Sequence, residues 1–127
     1  GFAEAGDEEG RRLQQEVVSI AREGDLRLVG PNSLGVVNSF APFCSTFLPV
    51  PKVKNPVALV SQSGGLFAGF HEFTPGKGID LGNMCDVDFA DILEYLEADP
   101  DTRLIVLHIE GLQQGRRFLD IASRVSR

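Results

Sequence analysis

Short apolar runs alternate with amphipathic segments along this chain, and the alternation predicts strands followed by helices. The run Val57 to Val60 predicts a short buried strand, and the run Leu104 to Leu107 predicts a strand covered on both faces. The predicted strands are 26–29, 34–37, 57–60 and 103–109, and the predicted helices are 7–24, 86–99 and about 114–125. This order is typical of βαβ units in a doubly wound parallel sheet of the α/β class.

The remaining parts of the chain lack a clear period. The first six residues predict the end of a strand and the loop that leaves it. Residues 39–56 contain four prolines and no regular apolar spacing, so they predict a connector between two α/β halves. The pattern therefore divides the chain into 1–38, 39–56 and 57–127.

A turn of small and hydroxyl-bearing residues, Ser61–Gly65, follows the predicted strand 57–60 directly. The first amides of a helix lack partners within it, and glycine lets an anion approach the backbone closely. The turn is therefore a candidate site for a phosphate or carboxylate. The simpler interpretation of the spacing alone is an ordinary strand-to-helix turn in which Ser63 caps the helix.

Composition restricts the class of protein. The 127 residues are 43% hydrophobic and carry a net charge of −6, and no basic patch favours nucleic acid as a partner. No apolar run reaches the roughly 20 residues of a membrane span, and no leader resembles a signal peptide. Cys44 and Cys85 lack CxxC spacing, so we predict reduced thiols and a cytoplasmic protein. His71 and His108 have no metal-ligand spacing, so no metal site is predicted, and both are expected to be structural.

Five ordered phrases together resemble a known family. They are Gly1–Glu4, Gly30–Gly35, Ser61–Gly65, Gly82–Leu93, and Asp99–Thr102 followed by Ile109–Gly111. Their order and content are similar to those of the NDP-forming acyl-CoA synthetases. That family includes ADP-forming acetyl-CoA synthetase and, more distantly, the alpha subunit of succinyl-CoA synthetase. The resemblance covers essentially the whole chain.

The resemblance implies part of a multi-domain enzyme that joins a carboxylic acid to CoA. In such enzymes an ATP-grasp domain or subunit binds ATP or ADP with Mg and passes a phosphoryl group through a phosphohistidine. The acyl phosphate formed is then attacked by CoA. Residues 1–38 would be the end of a Rossmann-type CoA-binding domain and 57–127 an incomplete flavodoxin-like ligase domain, and an oligomer is expected.

The resemblance also assigns residues. Phe2, Ala3 and Glu4 match a loop that contacts CoA, and Asn32 and Ser33 match a turn near the CoA thiol. Ser61, Ser63, Gly64 and Gly65 match the loop that holds the transferred phosphate, and this favours the functional interpretation of the turn. Glu110 matches the acid that steadies the phosphohistidine.

The chain also differs from the family pattern in several respects. Ser33 occupies a position where the family commonly has Cys, and the segment from Phe67 to Leu81 is shorter, whether by deletion or by missing residues. Ala68 or a neighbour occupies the acyl-contacting region, which argues against succinate. The phosphohistidine motif, the Gly-rich half of the CoA domain and the ATP-grasp domain are absent, so the isolated chain is predicted to be inactive.

Two other functions remain open from the sequence. The chain would serve as a CoA-binding module if it belonged to a protein acetyltransferase. It would be a serine hydrolase if Ser63 were a nucleophile at a strand-to-helix elbow. The elbow pattern G-x-S-x-G fails at Ser61, and no His follows in a triad context.

Overall fold

The structure is a computed structural model, and it describes residues 2–41, 43–49, 53–69 and 74–126. Along the chain the elements are a 3-10 turn (Phe2–Ala5), α1 (Glu8–Glu23), β1 (Val36–Asn38), β2 (Phe43–Cys44), β3 (Val57–Ser61), α2 (Gly64–Gly69), β4 (Lys77–Asp80), α3 (Phe89–Glu97), β5 (Leu104–His108) and α4 (Gly115–Val125). No helix in these ranges is long and apolar enough to cross a membrane.

The five strands form one sheet in the order β2-β1-β4-β3-β5. The three strands β4, β3 and β5 are parallel, and β1 joins β4 antiparallel and carries β2 as a hairpin partner. From β3 the chain passes first to β4 on one side and then to β5 on the other. The strand order therefore reverses at β3, and in such sheets ligands bind outside the carboxyl ends of the strands at that point. The three parallel strands confirm the predicted α/β class.

The core lies around β3, in which all five residues are buried. Helices α3 and α4 pack together, and the rings of Phe89 and Phe118 meet edge to face with 6.4 Å between their centroids. Because burial of such side chains is the main stabilising term, β3 and α3 form the rigid support for the loops at the carboxyl edge.

The predicted helix starts are confirmed by their caps. Asp7 accepts a hydrogen bond from the Gly10 amide at 2.6 Å and opens α1. Asp88 opens α3 in a capping box, in which Asp88 and Asp91 each accept the other's backbone N–H. Each cap satisfies amides that have no partner within the helix.

Two buried carboxylates are held by cations. Arg27 Nε lies 2.9 Å from Asp86, which also accepts the Leu28 amide, and Lys77 Nζ lies 2.5 Å from Asp99. Burial raises the pKa of Asp86, but the hydrogen bonds and charge from Arg27 and the Leu28 amide leave it below its usual range. Burial likewise raises the pKa of Asp99, and its bond to Lys77 outweighs that effect. Both acids therefore favour the folded state when ionised.

Two predictions for residues before β1 are wrong. The first six residues contain the 3-10 turn rather than the end of a strand. Residues 26–29 pair with no described strand, because the Leu26 amide donates to the Ala21 carbonyl of α1 and the loop before α3 takes the backbone groups of Leu28. The Leu28 amide donates to Asp86, and the Leu28 carbonyl accepts the Val87 amide at 3.0 Å.

Two predictions about the sheet also need correction. The sequence predicts no strand at 77–80, because Lys77, Gly78 and Asp80 interrupt the apolar pattern of β4, yet all four residues of that strand are buried. The sequence predicts that strand β5 is covered on both faces, but four of its residues are only half-buried and Leu104 is 56% exposed.

The division of the chain at residue 38 stays a prediction. Strand β1 belongs to the first predicted unit, yet it pairs with β4 of the third. The predicted connector begins inside the β1–β2 hairpin, so it is not wholly irregular. The sheet therefore joins the candidate CoA-binding segment directly to the candidate ligase segment.

Candidate functional site

The loop between β3 and α2 carries the candidate phosphate-binding residues. Ser61 Oγ accepts the Ser63 amide and donates to the Ser63 carbonyl, both at 3.0 Å, which closes the turn. Ser63 Oγ accepts the Leu66 amide at 3.3 Å, so Ser63 does act as a helix cap. Among the described residues the amides of Gly64 and Gly65 have no acceptor. These two amides are the donors that remain for an anion.

The candidate CoA-binding residues come together from two places in the chain. Asn32 Nδ2 donates to Glu4 Oε2 at 2.8 Å, which joins the 3-10 turn to the segment 31–35 that we call the CoA turn. Gln14 Oε1 accepts the Ala3 amide at 3.4 Å and Asn83 Nδ2 at 3.2 Å. Phe2 belongs to the same 3-10 turn and is half-buried.

The loop 82–87 supports the CoA turn through backbone hydrogen bonds. Its amides at Asn83 and Cys85 donate to the carbonyls of Pro31 and Gly30, both at 2.9 Å. Gly82 has a φ of +51°, and a Cβ there would lie 2.3 Å from the Pro31 carbonyl oxygen. Only glycine fits so close a backbone approach in this conformation. The family phrase Gly82–Leu93 therefore supports the CoA turn as well as opening α3.

The CoA turn lies directly on the β3–α2 loop. Ser33 Oγ donates to the Asp80 carbonyl, and the Leu34 amide donates to Asp80 Oδ2 at 2.6 Å. A Cβ on Gly64 would lie 3.1 Å from the Leu34 side chain and 3.4 Å from Asp80 Oδ2. The candidate CoA-binding and phosphate-binding residues thus meet at one point of the carboxyl edge.

Glu110 lies just after β5 at the same edge and is exposed. Its amide and that of Gly111 both donate to Gln62 Oε1, at 2.8 and 2.9 Å. The Gln62 amide in turn donates to the His108 carbonyl at 3.2 Å. Gln62 therefore holds the start of the loop after β5 against the loop after β3. Gln62 lies within the family phrase Ser61–Gly65, but no role is predicted for it from the sequence.

Three polar residues lie side by side across the parallel strands. Asp80, Ser61 and His108 are Cα partners on β4, β3 and β5, and both Asp80 and Ser61 are fully buried. His108 Nδ1 lies 3.5 Å from Ser61 Oγ. Burial raises the pKa of Asp80, the Leu34 and Gly82 amides offset part of this, and the charge of Glu110 adds to it. Asp80 is the residue of this row that sequence reasoning missed, because its partners lie far along the chain.

The contacts give no support to the serine hydrolase interpretation. His108 approaches Ser61 rather than Ser63, and Ser63 Oγ is occupied as a helix cap. Among the described residues, the Asp80 carboxylate accepts backbone amides and no imidazole N–H. The contacts of these residues form no nucleophile–base–acid relay. His71 lies outside the described residues.

The residues around the CoA turn fit the chemistry of CoA. Asn83 Oδ1 is buried and has no hydrogen-bond donor among the described residues. The pantetheine arm of CoA carries amide N–H groups, and a buried acceptor without a partner is costly unless such a donor reaches it. In the part of the chain that the structure describes, no three His, Cys, Asp or Glu side chains are placed to hold a metal ion.

The fold and the carboxyl edge of its sheet define a flavodoxin-like domain in which the Gly/Ser loop after β3 lies beside the CoA turn. Residues 54–127 match the family model described as the succinyl-CoA ligase like flavodoxin domain. The chain belongs to this family.

Curated relatives include several ADP-forming CoA ligases. The alpha subunit of acetate–CoA ligase [ADP-forming] II from Pyrococcus furiosus is 43% identical over 133 residues, covering 100% of this chain and 29% of the relative. The 4-hydroxybutyrate–CoA ligase [ADP-forming] from Nitrosopumilus maritimus is 36% identical over 135 residues, covering 100% of this chain and 19% of the relative. The chain thus spans less than a third of the length of these relatives.

Solved structures show the same fold at similar identity. The crystal structure of PH0766 from Pyrococcus horikoshii OT3 matches with a TM-score of 0.92 and 40% identity, covering 99% of this chain and 30% of that one. The dinucleotide forming acetyl-coenzyme A synthetase 1 of Ca. Korarchaeum cryptofilum, in complex with phosphate and ADP, matches with a TM-score of 0.87 and 34% identity, covering 99% and 28%.

Proposed function

We propose that this chain is the thioester-forming part of an NDP-forming acyl-CoA synthetase. The complete enzyme interconverts acid, CoA and ATP with acyl-CoA, ADP and phosphate, through an acyl phosphate and a phosphohistidine outside this chain. The observation that carries the proposal is the contact of the CoA turn with the β3–α2 loop through Leu34 and Asp80 at Gly64. This contact would bring a CoA thiol and an acyl phosphate to the same edge of the sheet.

The β3–α2 loop would hold the transferred phosphate. The amides of Gly64 and Gly65 would donate to its oxygens, with Ser61 and Ser63 fixing the shape of the turn. Backbone amides fixed in this way stabilise negative charge in the transition state without reorganising.

The CoA turn would hold the thiol end of CoA. Asn32 is positioned by Glu4, and Asn83 Oδ1 offers an acceptor to a pantetheine amide. Ser33 stands where the family commonly has Cys, and its hydroxyl is used to hold the turn on β4. We therefore assign Ser33 a positioning role rather than a chemical one.

Glu110 would orient the histidine that carries the phosphoryl group. A carboxylate that accepts the Nδ1–H of an imidazole leaves Nε2 free as the nucleophile and stabilises the positive charge that develops on the ring. Gln62 would keep the backbone of Glu110 in place for this contact.

The other components follow from the family. ATP and Mg would be bound by an ATP-grasp domain or subunit, the enzyme would be a cytoplasmic oligomer, and the isolated chain would be inactive. The relatives named for acetate and for 4-hydroxybutyrate differ in their acid. Ala68 or a neighbour on α2, beside the loop, would lie nearest the acyl group.

The test replaces Glu110 in the complete enzyme. Glu110→Gln keeps the size of the side chain and removes its charge, and labelling of the histidine from ATP is expected to fall by about 10- to 100-fold, the range typical of a lost supporting contact to a ligand. Glu97→Gln is the matched control, because Glu97 is an exposed acid on α3 that pairs with Arg124 away from the edge. Wild-type labelling in Glu110→Gln would remove Glu110 from the mechanism.

A further inference from the structure

The hydrogen bonds of Asp80 link it to residues of the CoA turn and of the loop 82–87. Its carboxylate accepts the Leu34 amide at 2.6 Å and the Gly82 amide at 3.4 Å. Its backbone amide donates to the Gly35 carbonyl at 3.0 Å, and its carbonyl accepts Ser33 Oγ. Every polar group of Asp80 therefore forms a hydrogen bond with the CoA turn or with the loop 82–87.

Asp80 also lies beside the β3–α2 loop. Asp80 is the Cα partner of Ser61, the residue that closes this loop, and the Leu81 amide donates to the Ser61 carbonyl at 2.7 Å. The Leu34 side chain and the Asp80 carboxylate lie so near Gly64 that an added Cβ there would be 3.1 Å and 3.4 Å from them. A shift of the Leu34 backbone would therefore change the packing of its side chain beside the first residue of α2.

We propose that Asp80 is a positioning residue that couples occupancy of the β3–α2 loop by phosphate to binding of CoA at the CoA turn. The inference rests on the proposed function for the identity of the two ligands. Occupancy of one site fixes Leu34 between Asp80 and Gly64, so the second ligand meets a turn that is already ordered. Phosphate should therefore tighten CoA binding, and by linkage CoA should tighten phosphate binding by the same factor.

The experiment measures the dissociation constant of CoA by calorimetry, with and without saturating inorganic phosphate, in the complete enzyme. In the wild type, phosphate is expected to tighten CoA binding by about 5-fold or more, the lower end of ordinary allosteric coupling. In Asp80→Ala the factor is expected to fall to about 1. In Asp80→Asn, which keeps an oxygen acceptor for the Leu34 amide, most of the factor should return.

Two controls separate coupling from loss of stability. Asp99→Asn removes another buried acid that supports β4, but through Lys77 at the opposite end of the strand, so it should lower stability and leave the coupling factor unchanged. Hydrogen exchange of the Leu34 amide gives a readout that needs no catalysis. Exchange should be slow in the wild type and in Asp80→Asn, and fast in Asp80→Ala.

Each outcome decides the proposal. A wild-type coupling factor retained in a folded Asp80→Ala enzyme overturns it, as does an equal loss in Asp99→Asn. A wild type that binds both ligands independently also overturns it. If the wild type does not bind CoA, or does not bind phosphate, the proposed function fails instead. Slow exchange of the Leu34 amide in Asp80→Ala would show that Asp80 does not hold the CoA turn.

Discussion

Replacing Gln62 by Met should impair the action of Glu110 without touching Glu110 itself. Met keeps the length of the Gln side chain and removes the oxygen that accepts the amides of Glu110 and Gly111. Both amides belong to exposed residues, so water can replace the lost acceptor in the variant. The expected effect is therefore a loosened loop rather than an unfolded protein.

The magnitude follows from the two hydrogen bonds. A typical intramolecular hydrogen bond contributes about 0.5–1.5 kcal/mol net, and exposed amides belong at the lower end of that range. Two bonds at about 0.5–1 kcal/mol each give a loss of about 1–2 kcal/mol in the positioning of Glu110. Because 1.36 kcal/mol corresponds to a tenfold change in rate, histidine labelling should slow by about 5- to 30-fold.

The assay is the rate of phosphohistidine formation from labelled ATP in the complete enzyme. Gln15→Met, an exposed substitution of the same kind on α1, should leave the rate unchanged. The double variant of Gln62 and Glu110 should be no slower than Glu110→Gln alone, since two residues that act as a unit are not additive. Wild-type labelling in Gln62→Met, beside slow labelling in Glu110→Gln, would refute the positioning role of Gln62.

The remaining predictions concern the β3–α2 loop, acid stability and the isolated chain. Titration of this chain with phosphate should shift the amide resonances of Gly64 and Gly65 first, whereas shifts centred on Lys54 would leave the loop as an ordinary turn. The pKa values of Asp86 and Asp99 are lower in the folded state than in the unfolded chain, so the stabilisation by both acids is present above the ordinary Asp pKa of about 4, and the free energy of unfolding should fall as the pH drops below it. Denaturant unfolding at each pH tests this, and a flat profile would contradict it. The isolated chain should form no acyl-CoA from ATP, CoA and acid, and thioester formation by it would contradict our assignment of the ATP site to another domain.

The elements with strong periodicity could be predicted from the sequence. Strand β3 and helices α3 and α4 carry apolar residues at the spacing that their burial requires. Asp7 and Asp88 mark the starts of α1 and α3 by short-range hydrogen bonds, although Leu13, Val17 and Ile20 of α1 stay exposed. Strand β4 could not be predicted, because its burial depends on Lys77 finding Asp99 and on Asp80 finding backbone amides. Such pairs are visible only in three dimensions.

The candidate site divides in the same way. The Gly/Ser loop and Glu110 are local phrases, and resemblance alone assigns them roles. Asp80 and Gln62 act through contacts with residues 46 to 49 positions away, so no local pattern marks them. In the segment 26–29 a local pattern is misleading. Its apolar residues predict a strand, but Leu28 forms its backbone hydrogen bonds with the loop before α3.

The products formed from ATP test the central proposal most directly. The complete protein that contains this chain is supplied with ATP, CoA and a panel of short carboxylic acids, and acyl-CoA, nucleotides and phosphates are quantified together. We expect one ADP and one phosphate for each acyl-CoA formed, and in the reverse direction ATP formed from acyl-CoA, ADP and phosphate. Release of AMP and pyrophosphate would contradict it, and so would CoA binding with no ATP-dependent thioester, the behaviour of a regulatory CoA-binding module.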